Sequence, residues 1–263
     1  MKIAVIGGGN MGGAVASGAV AAGVVAPGDV AVSHARPLLL ENLKKLGAEI
    51  VLTNDNREAV KGADLVIAAV KPWLMEGVLA EIAPVLDRSR QAVASVAAGI
   101  SFGTLADYLR CGELGAVGLY RVIPNTAISL GESMTFLAKE GTSAAQDEAM
   151  LRLFGALGRV TEVTEEQMTG CTALASCGIA YIFRYIDAAV RGGERMGIPR
   201  SEGLPIVMQT VRGALAMLER NGTQPQAEID KVTTPGGITL KGLEAMEGAG
   251  FSEAVIAGLL ASK

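Results

Sequence analysis

Histidine is almost absent from this chain. His34 is the single one in 263 residues, so a Ser-His-Asp triad or a His-rich metal centre is excluded unless His34 itself takes part. Cysteine is scarce as well. Cys111, Cys171 and Cys177 form no CxxC pair and no metal-ligand spacing, so no metal is expected. An odd count in a chain of this length points to reduced thiols and a cytoplasmic setting. Aromatic residues make up only 4% of the chain against 50% hydrophobic, so the core must be built from Ala, Val, Leu and Ile. Basic excess is missing too: a net charge of -4 argues against a nucleic-acid partner, which would need a positive face. No block of like charges marks a disordered tail. No uninterrupted apolar run approaches the ~18 residues of a membrane-spanning helix. At the N-terminus, Gly7-Gly8-Gly9-Asn10 halts the apolar stretch after Ile6, too early for a signal peptide. A soluble chain with no membrane partner is expected.

What is abundant is glycine, at 34 residues, together with short apolar runs. Ile3–Ile6, Val30–Ser33, Ile50–Leu52, Leu65–Val70, Ala92–Val96 and Ala116–Val122 read as strands. Helical patterns at Met11–Ala22 and Pro37–Leu46 separate the first of them. This βαβα rhythm predicts a parallel, doubly wound sheet. From about residue 163 only helical patterns remain: Thr169–Val190, Ser201–Asn221, Ala227–Val232, Thr239–Glu247 and Ser252–Leu260. The expected organisation is α/β, with a Rossmann-type domain over 1–160 and an all-α domain over 161–263. Thr169–Val190 carries few charges on any face, so it is either a central core helix or a subunit interface.

Gly7-Gly8-Gly9-Asn10-Met11-Gly12 fits GxGxxG, directly after a strand and opening a helix. That context is what gives the pattern its meaning. Gly7 permits the tight turn, Gly9 lets the backbone approach a pyrophosphate, and Gly12 allows close helix–strand packing, with Asn10 and Met11 on the helix N-terminus that faces the phosphates. The tip of the second strand decides between the two nicotinamide cofactors. Asp29 precedes that strand and would point from the wrong end of the sheet. At the carboxyl end stand Ser33, His34 and Arg36, a set suited to a 2′-phosphate, so NADPH is expected. Other strand ends should line the same crevice: Asn54, then Ala69-Val70-Lys71-Pro72, Ala97-Ala98-Gly99, and Asn125 within Pro124-Asn125-Thr126.

The helical part contains Thr233-Thr234-Pro235-Gly236-Gly237-Ile238-Thr239. Pro-Gly-Gly between helical patterns makes a sharp turn with free backbone N–H groups, which suits a carboxylate. The same pattern also suits a plain helix–helix connector.

Taken with the glycine motif, Val70-Lys71-Pro72, Ala98-Gly99-Ile100 and Arg121-Val122-Ile123-Pro124-Asn125-Thr126, this turn resembles the signature of the pyrroline-5-carboxylate reductases, in the family's order and spacing across the whole chain. The resemblance implies NADPH-dependent reduction of the C=N bond of 1-pyrroline-5-carboxylate to L-proline. It implies that Thr239 contacts the ring nitrogen, that Thr234, Gly236 and Gly237 hold the carboxylate, and that the segment around Ser176 walls the substrate pocket. It further implies a homodimer formed through the helical domain, the turn of one subunit facing the cofactor domain of another, and rings of such dimers. Two segments depart from the family pattern. Ala175-Ser176-Cys177-Gly178-Ile179-Ala180-Tyr181 stands where Ser-Gly-Ser-Gly-Pro-Ala-Tyr is common, and Ser33-His34-Ala35-Arg36 where Ser-Asn-Arg is common. Two rival readings compete with this one. A β-hydroxyacid dehydrogenase-like enzyme would need a lysine base on a C-terminal helix, yet no lysine occurs between Lys139 and Lys231. A non-catalytic NADP-binding regulator should lack the Thr239 and Pro-Gly-Gly constellation.

Overall fold

The computed structural model describes residues 1–47 and 49–263, with the backbone alone at 37–40. Through the first part, strands and helices alternate as β1 (Ile3–Ile6), α1 (Asn10–Ala21), β2 (Val30–Ser33), β3 (Val51–Thr53), α2 (Asn56–Val60), β4 (Leu65–Ala68), α3 (Pro72–Ile82), β5 (Ala92–Ser95), α4 (Phe102–Tyr108), α5 (Cys111–Leu114), β6 (Gly118–Ile123), β7 (Ser133–Glu140), α6 (Ala144–Gly155) and β8 (Gly158–Glu162). All eight strands join one sheet in the order β3-β2-β1-β4-β5-β6-β7-β8. Because the order reverses on either side of β1, a crevice opens there at the carboxyl edge of the strands. The expected doubly wound parallel sheet is present. It is extended at one edge by β7, which runs antiparallel to β6, and by β8, parallel to β7. Pro37–Leu46, expected as a helix, is a 3-10 helix.

Successive strand residues point to opposite faces, and both faces of this sheet are covered. Val5 and Ile67 pack on one side with Val15, Tyr120 and Phe154. Ile6 and Val66 pack on the other with Met75, Leu79, Leu105 and Ile123. That is why the central strands read as continuous apolar runs rather than as alternating ones.

By internal contacts the chain divides into Met1–Ser176 and Cys177–Lys263. The domain boundary expected at 160 falls inside β8, a strand that stays with the sheet. Beyond it come α7 (Met168–Cys171), a π-helical turn over Thr172–Cys177, α8 (Gly178–Arg195), α9 (Arg200–Asn221), α10 (Pro225–Val232), α11 (Ile238–Gly248) and α12 (Phe251–Leu260). Within the second unit α8 packs on α9 and α11 on α12. Val190 is its one buried hydrophobic residue among those described. One helical stretch, Met168–Arg195, is by length and composition long and apolar enough to cross a membrane, a mean-hydropathy property that a count of uninterrupted apolar residues does not capture.

Candidate functional site

β1 delivers the chain directly into the glycine motif. Gly7 N–H and Gly8 N–H both donate to the carbonyl of Ser33, at 2.9 and 3.0 Å, so the loop is fastened to the tip of β2. Gly7 has φ +101, and a Cβ placed there would lie 2.6 Å from the Ala69 carbonyl oxygen. At Gly12 a Cβ would come within 2.1 Å of the Gly7 carbonyl oxygen and 2.9 Å of Val5. Neither position can accept a side chain, because α1 is pressed against β1 and the end of β4. Gly9 differs: a Cβ there would meet nothing within 4 Å among the described residues. It is also the N-cap of α1, and no side chain among the described residues caps that helix. Three features thus coincide: unsatisfied N–H groups, the positive end of the helix dipole, and open space in front of them, which is the chemistry a pyrophosphate requires. Asn10 and Met11 form the first turn of α1. A cleft of about 250 Å³ beside the motif is lined by Gly8, Gly9, Asn10, Asn42 and Lys45, among others. Asn42 and Lys45 carry no motif in the sequence; only the fold shows that the 37–46 segment packs next to the glycine loop.

At the β2 tip the three expected phosphate contacts part company. Ser33 is fully buried, and its hydroxyl donates to Asn56 Oδ1 at 2.7 Å, so its only proton is already committed. Asn56 in turn donates to Glu81 Oε2 at 2.8 Å. Ser33 therefore shapes the loop, and its sequence-based assignment as a phosphate donor does not match this geometry. His34 is half-buried, and its Nδ1 accepts the Arg36 backbone N–H at 2.9 Å, which leaves Nε2–H as the donor of a neutral ring. Arg36 is exposed and makes no ion pair among the described residues, so its planar fork of donors is available.

The parallel register brings the remaining strand ends to the same edge of the sheet. Ala69 N–H donates to the Ile6 carbonyl at 2.7 Å and supports Gly7 from below. Val70 is half-buried beside it, Lys71 and Pro72 are exposed at the start of α3, and Asn54 is exposed after β3. After β5, Ala97 is buried while Ala98 and Gly99 are open. After β6, Asn125 is buried and its side chain accepts from Ala127 N–H at 3.1 Å, so it sets the turn that follows. Ser176, in the π-helical turn, donates to the Pro124 carbonyl at 3.1 Å and is thereby held next to Asn125.

In the helical unit the Thr-Thr-Pro-Gly-Gly turn opens α11. Gly236 has φ +73, Gly237 N–H donates to the Thr234 carbonyl at 2.8 Å, and Gly237 is an N-cap without a side-chain partner. Thr239 is the second residue of α11 and is exposed, as are Thr234 and Gly236. This is again an uncapped helix start with hydroxyls beside it, fit for a carboxylate.

A family model described as pyrroline-5-carboxylate reductase dimerisation matches residues 165–263. One described as NADP oxidoreductase, coenzyme F420-dependent, matches 2–99. Pyrroline-5-carboxylate reductase of Methanosarcina acetivorans is 34% identical over 255 residues, 96% of this chain and 92% of that protein. Pyrroline-5-carboxylate reductase 1 of Dictyostelium discoideum is 35% identical over 99% of this chain. The chain spans about half, 48%, of that Dictyostelium protein. The crystal structure of Plasmodium falciparum pyrroline carboxylate reductase with NADP bound superposes with a TM-score of 0.88 at 25% identity, covering 100% of this chain and 95% of that one.

Proposed function

The chain belongs to the pyrroline-5-carboxylate reductase family, and on that premise we propose that it reduces the C=N bond of 1-pyrroline-5-carboxylate to L-proline, the last step of proline biosynthesis, with NADPH as reductant. The cofactor supplies the hydride. The protein's own contribution is position: a protonated imine is already electrophilic, so holding two reactants in line accounts for much of the rate. The observation that carries the reading is the presence, in one chain, of two uncapped helix starts shaped for anions, Gly9 on α1 and Gly237 on α11.

In this reading Gly7, Gly9, Asn10, Met11 and Gly12 hold the pyrophosphate. His34 and Arg36 hold the 2′-phosphate over a tip fixed by Ser33. Asn54, Ala69, Val70, Lys71, Pro72, Ala97, Ala98, Gly99 and Asn125 line the rest of the cofactor crevice. Thr234, Gly236 and Gly237 hold the substrate carboxylate, Ser176 walls the pocket, and Thr239 bonds the ring nitrogen. The cofactor role falls to 1–160, and the substrate and dimer role to 161–263. Two copies pair through the helical part, rings of such dimers form, and the protein works in the cytoplasm with no membrane or nucleic-acid partner. The exposed apolar face of the helical unit and the three free cysteines support this. The assay is NADPH oxidation with pyrroline-5-carboxylate as acceptor. Turnover is expected. Turnover of 3-hydroxyacids with NADP and none with the imine would replace the reading by that of a dehydrogenase.

A further inference from the structure

Arg121, on β6 between Tyr120 and Val122, is only 8% exposed. A guanidinium this deep needs a counter-charge, and Glu165 provides it, with Nη1 2.8 Å from Oε1. The same Oε1 accepts the backbone N–H of Phe102, the first residue of α4, at 2.7 Å. Arg121 Nε is buried with no partner among the described residues. One carboxylate oxygen therefore ties together three segments: β6, the loop that leaves β5, and the residues that lead into α7. Ile100, Phe102 and Met168 close over the same region in one core cluster.

The question is what this pair is for. Stability is a weak answer, because taking a guanidinium out of water offsets most of what the pairing gains, and Glu165 is still 35% exposed. Position is the better one. The loop tied down at Phe102 carries Ala97, Ala98 and Gly99, and β6 runs on from Arg121 to Asn125. In a doubly wound sheet the strands on this side of the switch point face the nicotinamide half of the cofactor, while β1 and β2 face the adenosine half.

We propose that Glu165 and Arg121 are positioning residues for hydride transfer. They fix the height of the Ala97–Gly99 loop and of the β6 end against the nicotinamide ring, and they take no part in gripping the phosphates. This rests on the reductase reading, and wild-type turnover of pyrroline-5-carboxylate checks that reading separately. The test compares Glu165→Ala and Glu165→Gln with wild type for NADPH Kd by fluorescence titration, for kcat, and for melting temperature. Glu165→Ala is expected to leave Kd within about twofold and to lower kcat about 10-fold, since a displacement of about 1 Å at a reacting centre carries a cost of that order or more. Glu165→Gln keeps an oxygen that accepts from both donors but gives up the counter-charge, so its kcat should fall less than that of Glu165→Ala. Should Glu165→Ala fail to fold, Arg121→Lys, which keeps the charge but changes the reach to Glu165, is expected to show the same split. Wild-type kcat in folded Glu165→Ala or Arg121→Lys with only the melting temperature lowered, or loss of NADPH affinity in step with kcat, overturns the proposal.

Discussion

The two units of this chain bury their apolar residues very differently. Met1–Ser176 encloses core clusters on both faces of its sheet, with Tyr120, Phe154, Met75 and Leu79 fully buried. In Cys177–Lys263 the apolar residues lie open: Phe183 is 65% exposed, Met196 77% and Ile238 88%. The sheet unit holds itself together by burying apolar surface worth about 1.5–3 kcal/mol for each large side chain. The helical unit has the composition of a core without its burial, which is how half of an obligate interface looks before its other half arrives. The sheet unit carries the cofactor motif on rigid strand ends. The helical unit carries the Thr-Thr-Pro-Gly-Gly turn on an exposed surface, which on the proposed reading a second copy would complete.

Substitutions separate the two units, and the largest effect belongs to the sheet unit. Gly12→Ala would place a carbon 2.1 Å from the Gly7 carbonyl oxygen, so α1 must move off β1. NADPH affinity is expected to fall about 100-fold or more, on the ~1.4 kcal/mol per decade scale, as read by titration. Wild-type affinity would mean that the loop tolerates the shift. Leu79→Ala removes a fully buried side chain and should cost the sheet unit about 2–5 kcal/mol in chemical denaturation, at any protein concentration. A loss that vanishes on concentrating the protein would assign Leu79 to an interface instead.

In the helical unit Thr239→Ala removes a hydroxyl beside the proposed substrate nitrogen and keeps the turn. With one neutral hydrogen bond lost, kcat should drop about 10-fold, equivalent to ~1.4 kcal/mol, and Thr239→Ser should keep most activity. An unchanged kcat would leave Thr239 as part of the helix start only. Smallest is Arg36→Ala. The KM for NADPH should rise several-fold while NADH use stays near wild type, because only a phosphate contact is lost. Equal losses with both cofactors would make Arg36 structural.

How much of this could be read in advance follows from where the signal is local. The strands that sit between helix layers were legible as apolar runs, and Val30–Ser33 forms with the bounds its sequence predicts. Three C-terminal helices appear within a residue of their expected ranges, at Arg200–Asn221, Ile238–Gly248 and Phe251–Leu260. β7 and β8 were not legible. β7 is buried at most of its positions without clean alternation, and the segment that joins it to β6 lacks a two-residue hairpin turn. β8 is short, polar and at the sheet edge. At the site, Gly7, Gly9 and Gly12 could be assigned from spacing alone. The commitment of the Ser33 hydroxyl to Asn56, the approach of Asn42 and Lys45 to the glycine loop, and the Arg121–Glu165 pair could not. They join residues 23 and 44 positions apart in two of these cases, a distance over which no local pattern speaks.

On the proposed reading, the helical unit is half of an interface while the sheet unit stands by its own core. Sedimentation velocity of the wild-type chain, followed over a dilution series together with turnover, tests it most directly. A dimer or a larger even-numbered assembly is expected, with turnover falling as dilution produces single chains. A chain that sediments as a monomer throughout and keeps full turnover would contradict it.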